Sequence, residues 1–140
     1  MSSIAHSIAD SPLMFLLVRI MITTLFWSEV FLGLMNFNAF VGAVQRVGLP
    51  YPRFVAAGAI VLQGIASFLI ITDFNQLGWY GAGALSIFTL LTIPFGHAFW
   101  RCSEPRRTQE LHFVLEHISL VGGLLLLIMI FWMNSGTAPV

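Results

Sequence analysis

Arg19 and Glu29 lie inside one long apolar run, where a charged side chain costs about 2.5 to 3.5 kcal/mol at mid-membrane on insertion scales and so needs a reason to be there. They are ten residues apart, about 15 Å of helical rise and about 80° of rotation, so they cannot pair with each other. Arg19 sits about two turns in from the N-terminal side, within reach of Asp73 at the close of a second apolar run, and a structural ion pair is the favoured reading over a substrate-binding arginine. Glu29 lies nearer the opposite side, at the depth shared by His97 and His117 on two further runs. His112 and Glu116 are spaced i, i+4 on one helix face, and His117 turns about 100° from Glu116, so one helix offers polar groups in two directions. Gln63, in the middle of the second run, brings an amide whose commoner use in lipid is to hold helices together.

Carboxylates and imidazoles that converge inside a bundle can relay protons, contact a quinone, or ligate a metal or haem. The candidate set is Arg19, Glu29, Gln63, His97, His112, Glu116 and His117. A repeated Glu-x-x-His pair, the mark of a bundle metal site, is absent, and the actual string is His112-Phe113-Val114-Leu115-Glu116-His117. Haem and metal therefore rank last, and no metal ligand is assigned. The favoured reading is structural: His112 and Glu116 half-hydrated at the interface, His97 and His117 hydrogen-bonded to Glu29 or to backbone carbonyls near a kink at Pro94. A proton-coupled or quinone-contacting site comes next. A carotenoid or quinone groove lined by Trp27, Phe31 and Phe99 is a weaker alternative, because the 13 phenylalanines are most simply lipid-facing and packing residues. Cys102, beside Trp100 and Arg101, is the single cysteine, which excludes an internal disulfide or a CxxC redox pair.

What must position these groups is a membrane bundle. Of 140 residues, 58% are hydrophobic and 9% charged, with a mean hydropathy of +0.90, far too little polar surface for a water-facing exterior. A formal net charge of zero leaves no footprint for nucleic acid. Apolar runs over about 12–35, 54–71, 78–99 and 111–133 predict four antiparallel transmembrane helices in a single membrane domain, an all-α four-helix bundle. Ser11 is placed to cap the first, with Pro12 at its first position. Small residues at Gly78, Ala82 and Ser86, and at Ser119 and Gly123, repeat at the spacing that lets helices approach closely in lipid. Between the first two spans, Phe37, Phe40, Val41, Val44 and Val47 form an apolar stripe and predict a short interfacial helix over about 38–47. Asn38 is placed to cap it, and Gly48 with Pro50 to stop it. Asp73 lies in a tight turn, with Trp79 and Tyr80 beyond it suited to an aromatic belt.

Arg46 and Arg53 flank one connection and Arg101, Arg106 and Arg107 lie on another, so the positive-inside rule predicts cytoplasmic connections on that side and both termini outside. Met1 to Ser11 lacks the basic start and cleavage site of a signal peptide and reads as a short tail. The absence of ten-residue alternating segments argues against an outer-membrane barrel.

The chain resembles the DoxX-like family of small four-helix membrane proteins. The resemblance is carried by Leu17-Val18-Arg19-Ile20, by Gly33 to Phe37 and the amphipathic Phe40 to Arg46, and most of all by the turn Val47-Gly48-Leu49-Pro50-Tyr51-Pro52. Gly96-His97-Ala98-Phe99-Trp100 and Ile118-Ser119-Leu120-Val121-Gly122-Gly123-Leu124-Leu125 look like the ends of the family's third span and its last helix. The resemblance implies a bacterial inner-membrane protein, often of unassigned function, with some relatives acting as subunits of thiosulfate:quinone oxidoreductases or terminal quinol oxidases. Many members carry a Lys near the position of Gly33 and a Glu at that of Gln63, and both charges are missing here.

The expectation is thus an accessory or anchoring subunit of a quinone-linked redox assembly, more a non-catalytic subunit than an autonomous oxidoreductase. Its partners would be membrane lipid and either other membrane subunits or further copies of itself, with quinone the cofactor to test. A small proton-coupled transporter component and an assembly factor for another membrane complex are the alternatives.

Overall fold

The computed structural model describes residues 11–135 and is all-helical there. The expected polar tail before Ser11 lies outside the described residues. The helices are α1 (Pro12–Met35), α2 (Phe37–Arg46), α3 (Pro52–Thr72), α4 (Gly78–Gly96) and α5 (Arg106–Asn134), with single 3-10 turns at Phe74–Gln76 and Phe99–Arg101. Four of them are long and apolar enough to cross a membrane. Their outward faces are as greasy as lipid requires: Met21 is 74% exposed and Leu126 57%.

Pro12 opens α1 at the position where its missing N–H costs nothing, but the Ser11 hydroxyl makes no cap, and the chain enters through its carbonyl, which accepts the Phe15 N–H at 3.1 Å. A single residue, Asn36, breaks α1 from α2: its N–H closes α1 on Leu32 while its carbonyl already accepts from Ala39 and Phe40. Asn36 therefore holds the cap position expected of Asn38, which lies inside the first turn. Val41 buries against the bundle, while Asn38, Gln45 and Arg46 stay exposed, and Gly48 stops the helix at φ +78°, where a side chain would be strained.

The bundle is ordered by which helices touch: α3 packs between α1 and α4, and α4 against α5. The contact between α5 and α1 is the lightest of these seams. A core of Phe26, Ala66, Ile70, Ala82, Leu85, Leu124, Leu127 and Phe131 fills the half of the bundle nearer the Thr72 turn. Gly78, Ala82 and Ser86 all bury, as the four-residue spacing predicts. Trp79 packs on this core beside Tyr80, their ring centres 3.6 Å apart, so only Tyr80, 55% exposed, is free to sit at an interface.

The helix α4 carries Pro94 in its last turn and stops at Gly96, short of the run that continues to Phe99 in the sequence. The helix α5 begins at Arg106, ahead of its apolar run, because Glu104 gathers its first turn: the Glu104 carboxylate accepts the Thr108 hydroxyl at 2.7 Å and the Thr108 N–H at 3.3 Å.

Candidate functional site

The half of the bundle nearer the arginine-rich connections is hollow. A cavity of about 440 Å³ opens there, walled by every long helix and by α2. Phe26, Phe40, Phe88 and Phe113 frame it with rings, and Glu29, Gln63, Thr89, Thr92, His97, Glu116 and His117 supply its polar groups. A smaller hollow of about 230 Å³ between α1 and α2 shares Glu29 and Phe40 with it. Equal depth along antiparallel helices is what brings Glu29, His97 and His117 to one place, since helical rise fixes height whatever the loops do.

The hydrogen bonds meet the expectation only in part, His117 taking a backbone carbonyl as one alternative had it. His97 is not bonded to Glu29; its Nδ1 meets Glu110 Oε2 at 2.9 Å, and Arg106 Nε meets the other carboxylate oxygen at 3.3 Å. His117 is bound at Nδ1 by the Phe113 carbonyl oxygen of its own helix, 2.7 Å away. The two imidazoles stand with ring centres 4.8 Å apart, and Phe113 lies 5.1 Å from His97. Glu29 and Glu116 have no hydrogen bond or ion pair among the described residues. Gln63, 2% exposed, gives one amide hydrogen to the Ala59 carbonyl of its own helix at 3.2 Å rather than bridging helices. Thr92 donates to the Thr89 carbonyl at 2.7 Å. The hydroxyl of Thr89, a residue only 2% exposed, has no hydrogen-bond partner among the described residues.

Two of the sequence candidates lie elsewhere. His112 is exposed and bonded to the Thr108 carbonyl at 2.8 Å, away from the cavity wall. Arg19 is at the far end of the bundle and makes no direct contact ion pair with Asp73: its Nη1 donates to the Ile71 carbonyl at 3.2 Å, and its guanidinium lies over the rings of Phe15 (4.0 Å) and Phe131 (5.0 Å). Asp73 Oδ1 instead accepts the Gly78 N–H at 3.0 Å, the better use of a carboxylate at the start of a helix. Trp27, Phe31 and Phe99 do not line the cavity; Phe31 is 59% exposed and touches Trp27. No three His, Cys, Asp or Glu side chains come together as a metal site among the described residues.

Glu110, which holds His97, is one residue around this site that the sequence reading missed. The signals were present, in Pro105 just before a helix start and in the i, i+4 pair Arg106 and Glu110, but both lie ahead of the apolar run that set the helix boundary.

The DoxX family pattern matches residues 14–98. This chain belongs to the DoxX family. The matched segment includes Glu29, Gln63, Thr89 and His97, whereas the α5 wall of the cavity follows it. The chain is 27% identical over 119 residues to the inner membrane protein YphA of Escherichia coli (strain K12), covering 85% of this chain and 84% of that protein. No solved structure matches it. A Cβ built on Gly33 would meet Ile60 Cδ1 at 2.8 Å, so α1 lies directly on α3.

Proposed function

We propose that this DoxX protein is an integral accessory subunit of a quinone-linked redox assembly in the bacterial inner membrane, and that its cavity holds a quinone-type ring. The observation that carries the reading is the cavity itself, framed by four phenylalanine rings with Gln63, His97 and His117 in its wall. The volume falls within the roughly 300 to 1,000 Å³ usual for small-molecule sites. A planar ring would stack among Phe26, Phe40, Phe88 and Phe113, with Gln63, His97 and His117 facing its oxygens. Bound there, a quinone supplies two-electron carrier chemistry, and this chain's residues orient it and keep water from it. The light seam between α5 and α1 offers it a way in from lipid. The inner-membrane name of YphA supports the location, and Gly58 and Gly122, exposed with nothing near them, suit close contact with another subunit.

Purified protein in lipid nanodiscs is expected to retain a short-chain ubiquinone, and Thr92→Trp, which puts an indole into the cavity, to weaken that binding at least about tenfold. Retention equal to wild type in the variant would overturn the placement. Failure of the wild type to bind would overturn the ligand, and would favour the reading in which the unpartnered Glu29 carries protons for a transporter.

Orientation has a direct test in Cys102, which lies half-buried by the arginine-rich connections. We place these in the cytoplasm. A membrane-impermeant maleimide is expected to leave Cys102 unmodified in right-side-out vesicles and to modify it in inside-out ones; the reverse pattern would invert the topology.

A further inference from the structure

Both imidazoles in the cavity wall are committed at the same nitrogen. A carbonyl oxygen only accepts, so His117, with Nδ1 2.7 Å from the Phe113 oxygen, must carry its hydrogen on Nδ1. Glu110, ion-paired with Arg106, is likewise an acceptor, and His97 with Nδ1 2.9 Å from it holds its hydrogen there too. In the neutral rings Nε2 is then a bare lone pair, and neither Nε2 has a protein partner among the described residues. The carboxylates of Glu29 and Glu116 share this wall. With both rings neutral, the two imidazoles therefore present acceptors to this end of the cavity.

We propose that this end takes its ligand through hydroxyl donors, preferring a quinol-type ring to the corresponding carbonyl form, and that a proton on His97 Nε2 reverses the preference. The proposal rests on the cavity's holding a quinone-type ring. A carbonyl oxygen set against a bare Nε2 faces lone pair with lone pair, whereas a hydroxyl donates into it. When His97 is protonated, Nε2–H becomes a donor, and the new charge is held against Glu110. Glu110 is thus a positioning residue: it fixes which nitrogen carries the hydrogen. The other ionisable groups around His97 are Glu29 from α1 and Arg106, Glu116 and His117 from α5. The cavity residues of α2, α3 and α4, Phe40, Gln63, Thr89 and Thr92 among them, do not titrate in the range that matters. Protonation of His117 acts in the same direction as that of His97.

The test is anaerobic binding of ubiquinol-1 and ubiquinone-1 to the full chain in nanodiscs, at about pH 8 and about pH 5.5, on either side of the range in which imidazoles change charge. The quinol is expected to bind about tenfold tighter at the higher pH, the worth of one well-made hydrogen bond against an unmade one. The ratio is expected to invert at the lower pH. Glu110→Gln can donate its amide hydrogen to Nδ1 and so release the other tautomer; the preference at the higher pH is expected to collapse while quinone binding persists. The ¹⁵N shifts of His97 and His117 in the unmutated protein report the tautomer directly and should show hydrogen on Nδ1 in both. An Nε2–H tautomer, or quinone bound as tightly as quinol at the higher pH, would overturn the proposal. If neither form binds, the quinone-type reading falls and this proposal falls with it; binding of both without discrimination sinks the proposal alone.

Discussion

Gly81→Val is expected to cost the bundle about 2 to 3 kcal/mol, read as a lower unfolding free energy in mixed detergent micelles. A Cβ on Gly81 would stand 2.5 Å from the Ala66 carbonyl oxygen and 3.2 Å from both Ile70 Cγ1 and Leu69 Cβ. The nearest of these is backbone of α3 and cannot rotate away, so the two helices must separate along the seam that holds Ala66, Ile70, Ala82 and Leu85. In lipid nothing resembling the hydrophobic effect draws them back, because tails are as apolar as side chains, and the lost contacts are lost outright. Gly83→Val is the control: nothing lies within 4 Å of that site, and valine is the better helix former by a few tenths of a kcal/mol. That variant should match or slightly exceed the unmutated protein. A Gly81→Val protein as stable as its control would show that the α3/α4 seam does not depend on that close approach.

This seam also shows how far the sequence could be read. A membrane admits few solutions, so runs of about 20 apolar residues give four helices. The apolar stripe from Phe37 to Val44 likewise gives α2, only one residue out of place. The spacing of Gly78, Ala82 and Ser86 marks a true interface, because all three point the same way along α4 and all bury. Ser119 and Gly123 repeat the pattern with half the result. Gly123 meets Ile22, its Cβ position 2.7 Å from Cδ1, while Ser119 is exposed and turns its hydroxyl to the Leu115 carbonyl of its own helix. Spacing names a face and does not say which helix will cover it.

The cavity was legible as a depth and illegible as a bonding pattern. Rise per residue sets Glu29, His97 and His117 at one level, but which acceptor takes each imidazole depends on where α5 begins. Hydropathy drops out at Leu111, whereas the helix runs on through a polar turn to Arg106, and that extra turn carries Glu110 to His97. Thr89 gave no signal either, since a threonine in an apolar run ordinarily bonds its own helix, as Thr92, Thr72 and Thr24 do.

Arg19→Ala is expected to destabilise the protein by about 2 to 3 kcal/mol, the sum of a bond from a charged donor and the two ring faces it covers. Arg19 ties three helices together at the end away from the cavity, from α1 to the Ile71 carbonyl of α3 and the Phe131 ring of α5. A lysine keeps the charge but not the flat fork that lies on both rings and still donates sideways, so Arg19→Lys should recover less than half of the loss. Asp73→Asn separates this arrangement from an ordinary ion pair. The asparagine oxygen can still accept the Gly78 N–H, which Asp73 bonds at 3.0 Å, so the turn before α4 keeps its bond and little stability is lost. Were an Arg19–Asp73 pair the real tie, removing the carboxylate charge would cost nearly as much as removing the arginine. Equal losses in the two variants would therefore restore the ion pair; a large loss confined to Arg19 assigns the tie to the rings and the Ile71 carbonyl.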